Sequence, residues 1–454
     1  MSFLLPCWGK PHEYRPLPVE RGEGCWLITP EGRRIFDLRS AHECINLGFN
    51  PPRILAAMRT QMERLCYCTD DFAPGPPEAL AKRLAELTPG GPNKRVWFGQ
   101  SGAAAVEAAV KIAREYKALE HGRRSDESYP APLQYPYPYK VFTRYRSWHG
   151  ATATAASASG DPRRWFQEPH TVPGFVHAPD PYSWMRLFDV PYDVAGQQSL
   201  TWLEQQLEYE GGANRVAAIM VEPVVGSNGV LPPPEGYLAD LQSICHKHGL
   251  LLIADETMSG MGRTGAFTAS ERYGMEPDIL ILGKALGAYC PLSAVVVSER
   301  VAEGFQGAIM GHGQSYSGHA LACAAALEGV EMLTEEVLPH LKHKETYLKK
   351  GLHRLAAKHP IVRQVWGVGL FWTLELIADP ETGRPLVGPL QKYAPNLVRE
   401  LADYLLQECH VYVPGDKFGL WVVPPLIASL EELDFVLNAL DSALRLADEK
   451  LGFA

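Results

Sequence analysis

Three chemically distinct residues, Glu222, Asp255 and Lys284, each follow a short run of apolar residues in this chain. The runs are VAAIMV, LLLIA and ILILG. A primary amine held among carboxylates is suited to nucleophilic and acid–base chemistry. The same grouping also occurs as a structural ion pair in protein cores, so the residue types alone leave both interpretations open.

The elements that must position these residues are buried strands and a helix. Apolar runs of this length, separated by helical patterns, are typical of strands in a parallel sheet that is covered on both faces. Between the first two runs, apolar residues recur at helical spacing from Glu235 to His248, and Gly249 follows as a helix stop. Because ligands bind outside the carboxyl ends of the strands in open α/β sheets, we expect the three side chains to share one pocket.

Six segments, in order along the chain, resemble the motifs of the class III aminotransferases, which use pyridoxal 5′-phosphate (PLP). The stretch from Asp255 to Gly265 is similar to the family's D-E-V-x-x-G-x-G-R-T-G signature, and its distance from Lys284 fits that family. Six ordered matches are a specific signal, and they favour an active site over a structural ion pair. The other five segments are FGQSGAAAVEAAVKIAR, YRSWHG, VEPVVGSNGVLPPP, ILGKALGAYCPLSA and GHGQSYSGHALACAAAL.

The resemblance implies catalytic roles for the three residues at the strand ends. Lys284 would form an imine with the cofactor aldehyde and later act as a base. Asp255 would keep the cofactor's ring nitrogen protonated, which the cofactor needs in order to withdraw electrons. Glu222 would help to position the aspartate and the ring, although a glutamate that merely ends a strand has the same sequence context.

The resemblance also implies which residues cover the two faces of the cofactor ring. Thr257 stands where the family has a valine on one face, and it keeps the branched shape while adding a hydroxyl. On the other face the family has an aromatic residue before His-Gly, and this chain has Trp148 before His149. An indole offers a large stacking surface.

Ser101, Gly102 and Ala103 form the predicted phosphate site, because they stand directly at the start of a helical pattern. The free N–H groups and the dipole at a helix N-terminus favour an anion. In the family, a threonine from the neighbouring subunit completes this site, and Ser315 stands at its position. The resemblance therefore implies a homodimer.

Three residues are predicted to contact the substrate. Aligning FDLRSAHECINLGFN with the family's pattern puts Glu43 where an aromatic residue lines the substrate entrance, and a carboxylate there would welcome a second ammonium group, as in a diamine. In SGDPRRW, Arg164 or its neighbour Arg163 would reach an anionic substrate group, although paired loop arginines are also commonly solvated. Lys417 stands in a segment where related branches carry an arginine for the substrate carboxylate, and lysine is a poorer bidentate partner.

The wording V-G-S-N-G and S-Y-S-G-H is similar to the taurine–pyruvate and related ω-transaminase branch. This similarity implies transfer of an amino group from an ω-amino acid or amine to a 2-oxo acid, with pyruvate the expected acceptor, by a ping-pong mechanism. A PLP-dependent aminomutase or decarboxylase would share Asp255 and Lys284, and would be active without an added oxo acid. A non-enzymatic PLP-binding module is disfavoured because Lys284 is retained, and a nicotinamide dehydrogenase because no G-x-G-x-x-G follows a strand.

The fold implied by the resemblance is α/β, the PLP-dependent transferase fold type I. Residues 71–326 would form a large PLP-binding domain with a mostly parallel sheet, and residues 1–70 and 327–454 a smaller α+β domain. In the C-terminal part, helices are predicted over Glu336–Ala357 and Ala394–Glu408 and a strand over Gly367–Leu376. The proline-rich stretch His121–Lys140 predicts a surface loop.

Composition excludes several classes of partner. A net charge of −9 at pH 7 and a pI near 5.9 argue against binding to nucleic acid or to an acidic membrane surface. No apolar run approaches the ~18 residues of a membrane span, and the N-terminus lacks the basic region of a signal peptide. The nine cysteines include no C-x-x-C pair, so we expect reduced thiols, no metal site and a cytoplasmic location.

Overall fold

The computed structural model describes residues 3–122, 137–379, 381–386, 396–414 and 419–453. These residues form one seven-stranded sheet and two four-stranded sheets. The strands are β1 (Arg21–Glu23), β2 (Trp26–Ile28), β3 (Arg34–Asp37), β4 (Arg95–Gly99), β5 (Lys140–Arg144), β6 (Phe175–Ala178), β7 (Val216–Val221), β8 (Leu251–Asp255), β9 (Ile279–Leu282), β10 (Ser293–Val297), β11 (Val362–Val368), β12 (Phe371–Asp379), β13 (Arg384–Pro385), β14 (Val411–Tyr412) and β15 (Gly419–Val422).

Helices cover the faces of these sheets. They are α1 (Ser40–Glu43), α2 (Pro52–Arg64), α3 (Gly75–Leu87), α4 (Gly102–Glu120), α5 (Ala153–Ala158), α6 (Pro181–Phe188), α7 (Tyr192–Tyr209), α8 (Tyr237–Lys247), α9 (Ala269–Tyr273), α10 (Glu299–Gly304), α11 (Ala320–Met332), α12 (Leu341–Lys358), α13 (Leu397–Gln407) and α14 (Leu430–Leu451). Short 3₁₀ helices span Pro11–Glu13, Pro162–His170, Gly212–Asn214, Lys284–Gly287 and Leu338–His340, and a π-helical turn spans Leu333–Val337. In the described parts of the chain, no helix is both long enough and apolar enough to cross a membrane.

The large sheet has the strand order β4-β10-β9-β8-β7-β5-β6. Strand β10 is antiparallel to both of its neighbours, and the other pairs are parallel. Strands β7, β8 and β9 are buried along their whole length, as the apolar runs predict. Val221 pairs with Ala254 and Asp255 pairs with Ile281, so the three carboxyl ends lie at one edge. The predicted α/β class with a mostly parallel sheet is confirmed.

Alternate residues of these strands pack against helices on opposite faces of the sheet. Ala218 and Met220 of β7 belong to the cluster that contains the alanine-rich side of α4. Ile219 and Val221 belong to the cluster formed with α7 and α8. Because the side-chain period of a strand is two, a continuous apolar run is required to cover both faces. The predicted helix before β8 is present as α8, with Gly249 following it at φ +62°.

The smaller sheets combine residues from both ends of the chain. Strand β14 pairs in parallel with β3, Val411 opposite Phe36, and so completes the sheet β1-β2-β3-β14. Strand β15 pairs with β12 in the other small sheet. These sheets contain the elements that were predicted to form a smaller domain from both chain ends. That domain division remains a prediction. Its predicted boundary after residue 326 lies inside α11, which is continuous there.

In the C-terminal part, one prediction of secondary structure is wrong, and the predicted helix Glu336–Ala357 is present with a different start. The segment Gly367–Leu376 is not one strand, because β11 turns into β12 within it and Gly369 has a φ of +62°. Helix α12 begins at Leu341 and not at Glu336, and Pro339 lies in the short 3₁₀ helix before it. Residues 123–136 of the predicted loop His121–Lys140 and residues 394–395 of the predicted helix Ala394–Glu408 lie outside the described residues.

Arg263, in the glycine-rich segment after β8, connects this segment to residues from both ends of the chain. Its guanidinium is fully buried and donates to the carbonyls of Leu370 (3.0 Å) and Pro424 (2.6 Å). It also donates to the side-chain oxygen of Asn46. The NH2 group of Asn46 in turn donates to the carbonyl of Met261 (2.7 Å), in the same segment as Arg263. Burial lowers the pKa of Arg263 to about 10, which still leaves it charged at neutral pH.

We expect Arg263→Met to destabilise the protein strongly, by about 3–5 kcal/mol, because it leaves buried carbonyl groups without their charged donor. The free energy of unfolding, measured by denaturant titration, gives the effect. The matched control is Arg300→Met, which removes a half-exposed ion pair with Asp278 (2.7 Å) and should cost less than about 1 kcal/mol. Equal losses in the two variants would contradict a joining role for Arg263.

Candidate active site

A cavity of about 510 Å³ opens at the carboxyl ends of β7 and β8. Glu222 follows β7 directly, and Asp255 is the last residue of β8. The structure thus brings together, in one wall, side chains that are far apart in the sequence. Eight of the residues singled out in the sequence line the cavity: Gly102, Ala103, Trp148, His149, Glu222, Asp255, Thr257 and Lys284.

The Asp255 carboxylate is buried and held by neighbours at both oxygens. His149 lies with Nδ1 2.7 Å from Oδ2, so this ring nitrogen must carry the proton to donate to the carboxylate. Thr257 donates to Oδ1 from its backbone N–H (3.1 Å) and from its hydroxyl (2.5 Å). These contacts fix the orientation of a charged oxygen pair at the cavity wall.

Lys284 lies directly after β9 and Gly283, in a left-handed backbone conformation with a φ of +44°. A non-glycine residue in this conformation costs about 1–3 kcal/mol, and such strain persists only where the surroundings impose it. The chain is crowded here: a Cβ on Gly283 would lie 3.1 Å from Thr257 Cγ2 and 3.4 Å from the Cα of Gly102. The Lys284 side chain is a quarter exposed, and its amine lies 2.5 Å from the carboxylate of Glu43.

The N-terminus of α4 forms another part of the cavity wall. Ser101 is its N-cap and accepts from the backbone N–H of Ala104 (3.2 Å), while Gly102 and Ala103 line the cavity. A Cβ on Gly102 would lie 2.9 Å from Thr257 Cγ2, so glycine allows this close approach. The unpaired N–H groups in the first turn of a 19-residue helix favour an anion at this place.

Glu222 fixes the backbone around the cavity. One of its oxygens accepts from the N–H of Trp148 (2.9 Å), and the other accepts from the N–H of Gly226 (2.9 Å). Burial raises the pKa of this carboxyl, while the nearby His149 and the two N–H donors oppose that rise. Glu222 thereby holds the backbone of Trp148, whose indole lies in the cavity wall.

Arg163 and Trp8 meet the indole of Trp148. The Arg163 guanidinium carbon lies 3.8 Å from the centre of the indole, a cation–π contact, and Arg163 Nε donates to Asp161 (2.9 Å). The Trp8 ring packs edge-on against Trp148 at 5.6 Å. Arg39 also lines this cavity, so its wall includes two guanidinium groups, those of Arg39 and Arg163.

Comparison with known proteins agrees with this geometry. The family described as "Aminotransferase class-III" matches residues 9–444. The chain is a class III aminotransferase. It is 32% identical to the diaminobutyrate–2-oxoglutarate transaminase of Halomonas elongata over 95% of this chain and 91% of that one. It is 33% identical to the putrescine–pyruvate aminotransferase of Pseudomonas aeruginosa, over 80% and 78% of the two chains.

The fold agrees as well. The taurine:2-oxoglutarate aminotransferase of Bifidobacterium kashiwanohense, solved in complex with PLP and glutamate, superposes with a TM-score of 0.90 and 32% identity, covering 99% of this chain and 96% of that one. This class III aminotransferase is therefore a PLP-dependent transaminase of fold type I.

The residues of the cavity fit PLP. A carboxylate, a lysine amine and a helix N-terminus surround one space, and they match the ring nitrogen, aldehyde and phosphate of the cofactor. Small residues make room for it: a Cβ on Gly150, where φ is +135°, would lie 2.7 Å from the Cβ of Ala103. Among the described residues, no three His, Cys, Asp or Glu side chains are grouped to bind a metal ion.

The sequence alignment predicted that Glu43 lines the substrate entrance, and this prediction is wrong, because Glu43 is not among the residues that line the cavity of this aminotransferase. Its side chain is completely buried, and its carboxylate contacts Lys284 and Arg39. The neighbouring residues Arg39 and His42 reach the cavity instead. The turn that carries them is left-handed, which rotates Glu43 away from the substrate space.

Three further predicted contacts have different outcomes. Arg164 is not among the cavity residues; Arg163 is, because the 3₁₀ helix Pro162–His170 points successive side chains in different directions. Ser315 is exposed and does not line the cavity of its own chain, and its carbonyl accepts from Gln100 (2.6 Å). Lys417 lies outside the described residues.

Sequence reasoning missed Arg39, His42 and Trp8 as cavity residues. Arg39 and His42 lie in the segment that was aligned with the family, where Glu43 was the residue predicted to contact the substrate. Arg39 was detectable in principle, since it lies two residues after the aspartate of that pattern. Trp8 lies in no motif, and only the structure brings it to Trp148.

Proposed function

We propose that this aminotransferase moves an amino group from an ω-amino acid or amine donor to a 2-oxo acid, pyruvate, by a ping-pong mechanism. The observation that carries the proposal is one cavity whose lining includes Lys284, Asp255 and the arginine Arg163. Donor and acceptor must use the same space in turn, which is the condition for ping-pong transfer.

The roles proposed for the chain's own residues follow from their contacts. Bound PLP supplies an electron sink for the carbon that carries the amino group. Lys284 carries the proton between that carbon and the cofactor, since its amine reaches the cavity. Asp255, oriented by His149 and Thr257, holds the proton on the ring nitrogen. Glu222 acts through the backbone of Trp148 and is therefore a positioning residue.

The charge of the cavity supports a carboxylate-bearing substrate. Arg163 has a buried NH2 nitrogen that finds no hydrogen-bond partner among the described residues, and a planar guanidinium is suited to a carboxylate. A diamine donor would need a free carboxylate in the cavity to bind its second ammonium group. Because Glu43 is buried against Arg39 and Lys284, we favour ω-amino acids as donors.

The acceptor is proposed from the sequence alone. The segments V-G-S-N-G and S-Y-S-G-H are similar to the taurine–pyruvate branch, which suggests pyruvate. The names of the relatives include both pyruvate and 2-oxoglutarate as acceptors. Assays with each acceptor decide this point.

The experiment that tests the proposal is the visible spectrum of the purified protein with PLP, followed as single amines are added. The amines are taurine, β-alanine, 4-aminobutyrate, putrescine and 1-phenylethylamine, and pyruvate or 2-oxoglutarate is then added. We expect an ω-amino acid to bleach the cofactor band and pyruvate to restore it. Failure of every amine to bleach the band, or restoration without any oxo acid, would contradict the proposal.

Arg163→Met should raise the KM for pyruvate about 10- to 100-fold, since it removes a charge-assisted contact of about 1.5–3 kcal/mol. The KM for 1-phenylethylamine, which has no carboxylate, should change little. Steady-state kinetics with both substrates measure the difference, and the adjacent Arg164→Met is the matched control. Equal changes for both substrates, or the same effect in Arg164→Met, would contradict a carboxylate contact.

We also propose a homodimer in which the partner's Ser315 completes the phosphate site. Ser315 is exposed in its own chain, as are Ile309, Met310 and Tyr316 on the same loop. Exposed apolar groups beside an exposed hydroxyl support an interface at this loop. Sedimentation at the 50.2 kDa mass of one chain would contradict it.

A further inference from the structure

The turn that carries Glu43 has an unusual backbone. Four consecutive residues have positive φ: Ser40 (+48°), Ala41 (+46°), His42 (+59°) and Glu43 (+62°). For L-residues other than glycine this left-handed conformation costs about 1–2 kcal/mol each. A strained turn without a glycine persists only when its surroundings over-determine it, and such strain is often associated with function.

Asp37 holds the start of this turn. Its carboxylate accepts from the backbone N–H groups of Arg39 (2.9 Å) and Ala41 (2.7 Å). Burial raises the pKa of Asp37 to about 6, although both N–H donors favour the charged form. The first two residues of the turn are therefore fixed to the end of β3.

The smaller domain holds the other side of the turn. The Ser40 hydroxyl donates to the carbonyl of Val423 (2.6 Å). The Arg39 guanidinium carbon lies 3.5 Å from the centre of the Trp421 ring, so the arginine is stacked on β15. Because the turn is held at β3 and at β15, Glu43 has a defined position in contact with Lys284.

The carboxylate of Glu43 is shared between two cations. One oxygen contacts Lys284 Nζ at 2.5 Å, and the other contacts Arg39 Nε. Burial alone would raise the pKa of Glu43, but Arg39 and Lys284 more than offset it, so that the pKa is lowered. The carboxyl group is thus ionised at neutral pH, with no exposed surface of its side chain.

Other charged or titratable groups act on this pair from each neighbouring element. They are His42 and Cys44 beside the turn, Asp37 at the end of β3, Arg263 after β8, and Tyr412 of β14. None of these is a second carboxylate in contact with Lys284 Nζ. Glu43 is therefore the anion in contact with the amine among the described residues.

We propose that Glu43 is a positioning residue for Lys284: its carboxylate holds the ε-ammonium whenever the lysine is not bonded to the cofactor, and Arg39 limits that hold by competing for the same carboxylate. The inference rests on the proposed role of Lys284. A lysine must lose one proton to become a nucleophile, and one anion shared by two cations restrains that loss less than an exclusive pair does.

The test uses the cofactor-free protein. Reductive methylation with formaldehyde and a borane modifies only neutral amines, and peptide mass spectrometry gives its extent at Lys284 as a function of pH. In Glu43→Gln the pH midpoint for labelling Lys284 should fall by about one to two pH units, the usual effect of removing a nearby opposite charge. In Arg39→Gln it should rise, because Lys284 then has the carboxylate to itself.

The controls separate charge from packing. Glu43→Asp keeps the charge. Its labelling midpoint should differ from that of the unmodified protein by less than half of the shift seen in Glu43→Gln. Glu345→Gln removes a mostly buried carboxylate that pairs with Arg272 (2.9 Å) and should not move the midpoint. If Glu43→Gln does not fold, the expected rise of the labelling midpoint in Arg39→Gln still tests the inference. Unchanged midpoints in the folded variants would overturn the inference.

A second readout distinguishes this inference from the proposed function. PLP is added to each cofactor-free variant, and the rate at which the visible band appears is measured against pH. Its midpoint should move in the same directions as the labelling. No band in the unmodified protein would refute the role of Lys284 and hence the proposed function, whereas a band with the same midpoint in every variant would refute only the role of Glu43.

Discussion

Lys284→Ala is expected to abolish amino transfer, lowering kcat by at least about 10⁴-fold, while the protein remains folded. Lys284 lines the cavity described above, and among the described residues that line it no other offers a primary amine. Its side chain is a quarter exposed, and after its removal Glu43 still contacts Arg39. Stopped-flow transfer assays and circular dichroism measure the two effects.

The matched control for this variant is Lys247→Ala. Lys247 is two-thirds exposed and pairs with Glu204 at the surface (2.7 Å), so its loss should leave activity and fold unchanged. If Lys284→Ala retained full transfer, or still gave the visible cofactor band with PLP, the proposed role of Lys284 would be wrong. Loss of the circular dichroism signal would show a structural role for the lysine.

The second large effect is expected for Asp255→Asn, with kcat lowered about 10²- to 10⁴-fold. The amide has the same shape, so Thr257 can still donate to its oxygen. It has no negative charge to keep a proton on the ring nitrogen, and its NH2 group would face the donor nitrogen of His149. Single-turnover kinetics with PLP-saturated protein measure the change.

Glu256→Gln is the matched control next to it in the chain. The Glu256 carboxylate is buried but accepts from the backbone N–H groups of Ala269 (2.7 Å) and Ser270 (2.6 Å) and so caps α9. Its loss should lower the stability, with kcat kept within a few fold. Similar losses of kcat in the two variants would mean that any buried carboxylate in this segment matters equally, which would contradict a special role of Asp255.

Much of the sheet and of the cavity could be predicted because local signals and geometry agree. Apolar runs predicted β7, β8 and β9, and the rule for carboxyl ends brought Glu222 and Asp255 together. Ser101 and Gly102, together with the helical pattern that follows them, predicted an anion site at the start of α4. These features depend on short stretches of sequence, so they can be read without the rest of the chain.

The parts that sequence did not predict depend on long-range contacts. Ser40–Glu43 contains no glycine, and its left-handed conformation is imposed by Asp37, Val423 and Trp421. That conformation turned Glu43 away from the cavity and brought Arg39 to it. The choice between Arg163 and Arg164 likewise depends on the phase of a 3₁₀ helix, which the sequence SGDPRRW does not define.

The pairing of β14 with β3 has a consequence for how the protein is made. Phe36 and its partner Val411 are separated by almost the whole chain, so β3 leaves the ribosome long before β14 exists. At about 5–20 residues per second, roughly 20–75 seconds pass between the two. During that time β3 has an unpaired edge, and the sheet around β7 to β9 can assemble without it. The sheet β1-β2-β3-β14 can thus be completed only when synthesis of the chain is nearly finished, and the same holds for the contacts of the Glu43 turn with Trp421 and Val423.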